Sequence, residues 1–249
     1  MLLEVINISK SFGGLAAVSQ FDMGVEEGRI TALIGPNGAG KTTIFNLITG
    51  VIRPDSGKVV FDGHVITGKS PHSIAADGIG RTFQLTPLFA NFTTLENVIA
   101  SLYLKSRSNF WSILCNTRSC REKEAHATGK ANEILELVGL SKVKDELAKN
   151  LPHGYQKMLG IARALAVEPK LLMLDEPLSG MNAEEITFTM GIMQKMREQG
   201  MTILVIEHNM AVLDLCDHVV AINFGQKICD GSVTDVTCHP DVIKAYLGE

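Results

Sequence analysis

The chain has 249 residues and 45% hydrophobic content, enough for one large domain with a real core, which excludes a disordered polypeptide. A formal charge of -4, from 23 basic and 27 acidic side chains, offers no cationic footprint for a phosphodiester backbone, so no nucleic-acid partner is expected. Cys115, Cys120, Cys216, Cys229 and Cys238 are odd in number and contain no Cys-x-x-Cys, which argues against a disulfide framework or a zinc site and for a reducing compartment; no window holds the roughly 18 apolar residues that cross a bilayer, and "MLLEVINISKSF" lacks a secretory leader's pattern.

In chain order, "LLEVINISKSF" and "AVSQFDMGVEEGRI" come close to alternation, with "GG" and "EEG" as turn signals, and predict an antiparallel edge sheet. "ITALIG" (30–35), "KLLMLD" (170–175), "TILVIEH" (202–208) and "HVVAIN" (218–223) are short apolar runs that read as buried strands. They alternate with helical patterns, so a mostly parallel α/β sheet covered on both faces is expected. From about 86 to 153 the strand pattern disappears. "TTLENVIASLYL" and "KEAHATGKANEILELVGL", the latter closed by Gly139, predict helices of an inserted subdomain. The polar, basic stretch between them carries "FWSIL" (110–114), either a satellite apolar cluster under the insert or a patch that touches lipid or a membrane protein. The tail "GQKICDGSVTDVTCHPDVIKAYLGE" predicts a strand, a turn and one or two short helices.

"GPNGAGKTT" places Gly35, Pro36, Asn37, Gly38, Ala39, Gly40, Lys41, Thr42 and Thr43 between a strand and a helix, in the pattern G-x-x-x-x-G-K-[ST]. Glycines let backbone N–H groups converge on phosphate oxygens, and the helix that follows adds the positive end of its dipole. Lys41 is placed for the outer phosphates and the Thr42 hydroxyl for Mg2+, so the chain is expected to bind a nucleoside triphosphate. "LLMLDEP" ends a buried strand in two acids: Asp175 to hold the metal through water, Glu176 to polarise an attacking water for in-line transfer. Hydrolysis is the natural outcome of that pair. "LPHGYQ", Leu151 to Gln156, opens a strong helix behind Pro152 and Gly154, so free N–H groups at its start form an anion site that can serve a neighbouring molecule's nucleotide.

Taken together, "GPNGAGKTT", Gln84 after "IGRTF", the helix-opening "LPHGYQ", "LLMLDEP", "LSGMN" and "VIEH" ending at His208 resemble the ATP-binding cassette family over the whole chain. "RTFQ...LF...TLENV" and the ending "HPDVIKAYLGE" look like the ATPase subunits of branched-chain amino acid importers. The resemblance implies one nucleotide-binding domain over residues 1–249: a P-loop NTPase core from 1–85 and 168–249, an N-terminal antiparallel β subdomain, and a helical subdomain at about 86–167. It implies a head-to-tail dimer with a second copy or a paralogue, each ATP lying between one phosphate loop and the other subunit's Pro152, His153, Gly154 and Tyr155. It also implies that Phe12 stacks on adenine, that Gln84 touches Mg2+ and water while sensing integral membrane permease subunits, and that His208 bridges to the γ-phosphate. The protein is then peripheral on the cytoplasmic face of the membrane, with a substrate-binding protein as an indirect partner. "QLTPLFANFTTLENV", Gln84 to Val98, is the expected permease contact.

Two positions depart from the family pattern. Its usual Leu-Ser-Gly-Gly-Gln is Leu151-Pro-His-Gly-Tyr155 here, which removes the serine hydroxyl and leaves backbone donors plus His153 as a substitute, and Asn182 replaces the usual aspartate. A soluble ATPase of the same fold is a weaker reading, because the chain has a single cassette, no heptad arm and an acidic balance. A P-loop kinase would not need the Leu151–Tyr155 stretch. Urea, amides or aromatic acids remain alternative cargoes to branched-chain amino acids.

Overall fold

The computed structural model describes residues 1–82, 88–105 and 118–247. Gln84 and "FWSIL" (110–114) lie outside them.

Two sheets organise the chain. The first has the order β2-β1-β4-β5, from β1 (Leu3–Phe12), β2 (Leu15–Val25), β4 (Ser56–Phe61) and β5 (His64–Val65), all antiparallel. Gly13 and Gly14, both at positive φ, make the tight turn between β1 and β2. The alternation in the sequence becomes one buried face, with Leu3, Val5 and Ile8 on β1 and Phe21, Met23 and Val25 on β2. These strands form a sheet of their own and not the edge of the parallel sheet. The parallel sheet's antiparallel edge is the C-terminal β10 (Gln226–Gly231).

The second sheet has the order β10-β9-β3-β8-β7-β6, with β3 (Ile30–Ile34), β6 (Ile79–Arg81), β7 (Leu171–Asp175), β8 (Thr202–Ile206) and β9 (His218–Asn223) mutually parallel. The four apolar runs of the sequence are its contiguous centre, and β3, β7 and β8 are buried at every position. Alternate residues face opposite layers. Ile30, Ala32, Leu172, Leu174, Ile203 and Val205 pack in one core, while Leu33, Leu171, Met173, Leu204 and Ile206 pack in the other, beneath the antiparallel sheet and α1 (Lys41–Ile48). Each such valine, leucine, isoleucine or methionine side chain contributes about 1.5–3 kcal/mol when fully buried.

Between β6 and β7 the described chain is helical: α3 (Thr94–Lys105), α4 (Arg118–Leu137) and α5 (His153–Leu165), with a single bridge, Thr93 to Leu147, as the described strand-like contact there. Beside α1 lies α2 (Pro71–Asp77), and α6 (Ala183–Glu198) follows β7. Asn182 caps α6 in a reciprocal box: its side chain accepts from the Glu185 N–H and the Glu185 carboxylate accepts from the Asn182 N–H, both at 2.9 Å. Helices α7 (Val233–Thr237) and α8 (Pro240–Leu247) close the chain. Among the described residues no helix is long and apolar enough to cross a membrane.

The register fixes where chemistry can gather. Leu33 pairs with Ile206 and Ile206 with Asp175, so the carboxyl ends of β3, β8 and β7 stand level. Gly35, Glu207, His208 and Glu176 all leave the sheet at that edge, where open α/β sheets place their ligands.

Candidate active site

The loop from Gly35 to Gly40 bends through backbone regions that side chains avoid. Gly35 sits at φ 156°, and a Cβ there would overlap the carbonyl oxygen of Ile222. Gly40 sits at φ 104°, with the Ala17 carbonyl only 2.7 Å from where its Cβ would be. The loop delivers the chain into α1, whose first residue, Lys41, is buried. Its ammonium donates to the carbonyls of Gly35 at 2.6 Å and Pro36 at 3.0 Å. Burial pushes the Lys41 pKa down, and the charges of Glu176 and Asp175 pull it back. An ammonium that donates to neutral carbonyls can exchange them for phosphate oxygens, which are stronger acceptors.

Above the loop lies a cavity of about 520 Å³ lined by Leu15, Ala17, Asn37 to Thr43, Glu176 and Phe224. Lys41, Thr42 and Glu176, predicted as one site from segments far apart in sequence, therefore share one space. Glu176 has φ 50°, a left-handed conformation that costs a non-glycine residue free energy and turns the chain sharply out of β7. Its N–H donates to the Ile206 carbonyl at 3.0 Å, which locks that turn to β8.

Asp175 is buried and paired. The Arg81 guanidinium donates to its Oδ2 at 3.1 Å and also to Asn46 Oδ1 and Thr49 Oγ1, each at 2.8 Å, while lying 5.5 Å from the Phe45 ring centroid. Burial raises the Asp175 carboxyl above the usual carboxylate range and Arg81 opposes that rise. Thr42 and Asp175 offer hard oxygen donors, the set that suits Mg2+ shared with phosphates and water.

Pro152 is the N-cap of α5, and no side chain caps the helix, so its first amides are left for an external acceptor. The His153 ring lies beside Gly180, in the loop after β7. Gly154 is buried against its own chain, where a Cβ would overlap the Glu185 carboxylate of the α6 capping box. An aspartate there would disturb the subunit itself, so His153 is the cleaner probe of this helix start. Tyr155 is half-exposed beside Met158 and Phe188, in a groove separate from the phosphate cavity. Within one subunit the structure does not bring Pro152, His153, Gly154 and Tyr155 to the loop.

Phe12 ends β1 paired with Leu15, the Lys10 ammonium 5.7 Å from its ring centroid, and is not among the cavity-lining residues. His208 follows β8 with a half-exposed side chain, its Nδ1 3.9 Å from Glu207 Oε2. Sequence reasoning missed Phe224, which is 84% exposed at φ 47° in the β9–β10 turn. The next residue, Gly225, donates to the Ala39 carbonyl at 2.9 Å and accepts from the Ser19 N–H at 2.9 Å, so this turn is stitched to the phosphate loop. An exposed aromatic between Asn and Gly was the available signal. Arg81, Lys157 and Glu207 were also missed.

The ABC transporter family profile matches residues 18–179, and that of the branched-chain amino acid ATP-binding cassette transporter matches 226–249. The high-affinity branched-chain amino acid transport ATP-binding protein BraF of Pseudomonas aeruginosa is 41% identical over 250 residues, covering 100% of this chain and 98% of the relative. LivG of Salmonella typhimurium, described in the same words, is 37% identical with the same coverage. The crystal structure of the ADP conformation of MJ1267, an ATP-binding cassette of an ABC transporter, superposes with TM-score 0.85 at 33% identity, covering 100% of this chain and 99% of that one. This chain belongs to the ATP-binding cassette family, as an ATP-hydrolysing transporter subunit related to the branched-chain amino acid transport ATPases.

Proposed function

We propose that the chain powers a branched-chain amino acid importer, hydrolysing ATP held by Gly35 to Thr43. The observation that carries the catalytic assignment is the convergence of Lys41, Thr42 and Glu176 on one cavity at the carboxyl edge of the sheet. Lys41 exchanges its carbonyl partners for the outer phosphates, Glu176 polarises the attacking water, and His208 steadies the γ-phosphate from the next strand. Thr42 and Asp175, with Gln84, would hold Mg2+, which would supply charge neutralisation on the phosphate oxygens. The first turn of α5, from Pro152 to Tyr155, faces the nucleotide of a second cassette, a copy or a paralogue, in a head-to-tail dimer. The cargo assignment is supported by BraF and LivG, both described as branched-chain amino acid transport proteins. It is tested by uptake of labelled leucine in cells that lack this chain: restoration by the wild type and not by Lys41→Ala is expected, and unchanged leucine uptake with loss of another solute's uptake overturns it.

The base subsite makes a sharper prediction. Phe224 lines the cavity, whereas Phe12 does not and reaches it only through its pairing with Leu15, so Phe224 is the better placed of the two to meet the nucleobase. Aromatic stacking on a base is worth about 1–3 kcal/mol by alanine substitution, so Phe224→Ala is expected to weaken ATP binding roughly 5- to 100-fold. Titration of a fluorescent ATP analogue against Phe12→Ala and Phe224→Ala ranks the two; an unchanged affinity for Phe224→Ala removes it from the subsite.

The permease contact is assigned to the start of the helical region. Phe89 and Phe92 are half-exposed with ring centroids 5.2 Å apart, and the Arg163 guanidinium of α5 lies 4.9 Å from the Phe89 centroid. Solvent-facing aromatics tied to α5 give a docking patch a mechanical link to the nucleotide-facing helix. Cysteines at positions 89 and 92 are expected to crosslink to permease cytoplasmic loops in assembled transporter. Crosslinks from α8 alone place the contact elsewhere.

A further inference from the structure

The loops that carry Glu176 and His208 meet at a carboxylate that the family assignment leaves without a role. Glu207 is 1% exposed, the last place an unpaired charge can be kept. Its two oxygens are divided between loops. Oε1 accepts from the Leu178 N–H at 2.6 Å, two residues past Glu176, while Oε2 accepts from the N–H groups of His208 at 3.1 Å and Asn209 at 3.3 Å. A third element closes the cluster. The Lys157 ammonium, one turn into α5, donates to the carbonyls of Glu176 at 3.0 Å and Ser179 at 2.5 Å. Burial lowers the Lys157 pKa, and the charges of Glu207 and then Glu176 oppose that shift, so the carboxylate and the ammonium sit within each other's field.

We propose that Glu207 is a positioning residue for ATP hydrolysis: its buried carboxylate clamps the Glu176–Ser179 loop to the His208–Asn209 backbone, and Lys157 fastens the first turns of α5 to the same clamp. The proposal rests on the catalytic reading of Glu176 and His208 given above. The bonding is specific to an ionised carboxylate. A glutamine of the same size has one acceptor oxygen and one donor NH2, so at Glu207 it satisfies either Leu178 or the His208–Asn209 pair and turns a donor toward the other amides. The consequence reaches between sites. The first turn of α5, which faces the opposite subunit's nucleotide in the proposed dimer, and the subunit's own catalytic carboxylate are then parts of one bonded assembly, so closure at one site sets the geometry at the other.

The test is steady-state and single-turnover hydrolysis by the purified full chain carrying Glu207→Gln, in wild-type and His208→Ala backgrounds, with ATP affinity and urea unfolding measured on each. Loss of a charge-assisted bond to the His208 loop is expected to lower kcat roughly 10- to 100-fold. KM for ATP should stay within about 3-fold, because the clamp's hydrogen bonds run to the loops after β7 and β8 and leave Lys41 and the glycine loop in place. In the His208→Ala background the same substitution should cost a clearly smaller factor than in the wild type, since the imidazole it positions is gone and only the hold on the Glu176 loop is left to lose. A merely structural role predicts equal loss in both backgrounds, and that additivity overturns the proposal, as does a KM that rises with the fall in kcat. A fully active His208→Ala overturns both this proposal and the site reading, whereas an impaired His208→Ala with additive losses overturns this one alone. If Glu207→Gln does not fold, Glu207→Asp, which keeps the charge but is one methylene too short to serve both loops, passes through the same two backgrounds and is read by the same criterion.

Discussion

Glu176→Gln is expected to bind ATP with near wild-type affinity and to hydrolyse it at least about 100-fold more slowly, the usual contribution of a positioned general base. The amide cannot draw a proton from water, while Lys41 and the glycine loop, assigned above to the phosphates, are untouched. The substitution is conservative for the backbone as well. The contacts that hold residue 176 in its left-handed turn are made by its N–H to Ile206 and by its carbonyl to Lys157, not by the carboxylate alone. ATP bound without turnover should hold two cassettes together, so sedimentation of the variant with ATP is expected to show a dimer that the wild type forms only transiently. A wild-type rate in a single-turnover assay moves the catalytic carboxylate elsewhere and with it the mechanism.

The parts of this site that a reader of the sequence finds are those written contiguously. Gly35 to Thr43 is nine residues whose order encodes one loop, and Asp175-Glu176 is a pair that follows the four apolar residues Leu171 to Leu174. The helix start at Leu151–Gln156 was visible because proline and glycine punctuate it, but the reason for Gly154 was not: the Glu185 carboxylate that fills the space lies on α6, beyond a whole strand. Glu207 and Lys157 carry no local signal beyond an acid after the apolar β8 and a lysine on a helix; the pairing of β7 with β8 brings Glu207 to the loop after β7, and the packing of α5 brings Lys157 to the same loop. The short strands β5 and β6, of two and three residues, are below the length at which periodicity can be read, and β6 takes its place by pairing with β7. Phe12 and Phe224 illustrate the same limit at the base subsite: both are single aromatics, and which of them faces the cavity is decided by a turn bonded to Ala39 and Ser19 from the far end of the chain.

Arg81 carries the second large expectation, and it concerns stability. Its guanidinium is buried under the phosphate loop's helix, where it satisfies Asp175, Asn46 and Thr49 at once from β6, the edge strand of the parallel sheet. Burial pushes the Arg81 pKa down while Asp175 supports its charge, so each partner of the pair depends on the other. Arg81→Met keeps much of the stem against Phe45 but leaves the buried Asp175 carboxyl without its hydrogen-bonded cation, beside two acceptor oxygens that have lost their donor. Removal of one partner from such a pair costs about 3–5 kcal/mol, several times the value of an exposed ion pair. A domain with a total stability of roughly 5–15 kcal/mol then loses a large fraction of it. Arg81→Lys retains the charge but not the planar fork that reaches three acceptors, and should fall between the two. The contrast with Lys170→Met is the control: Lys170 pairs with Asp62 at 2.5 Å on the surface, where solvent screens the pair, so its loss should leave the unfolding midpoint close to that of the wild type. Urea unfolding of the three variants beside the wild type measures the series. If Arg81→Met unfolds at the same midpoint as Lys170→Met, the buried pair does not hold β6 and β7 beneath the catalytic edge.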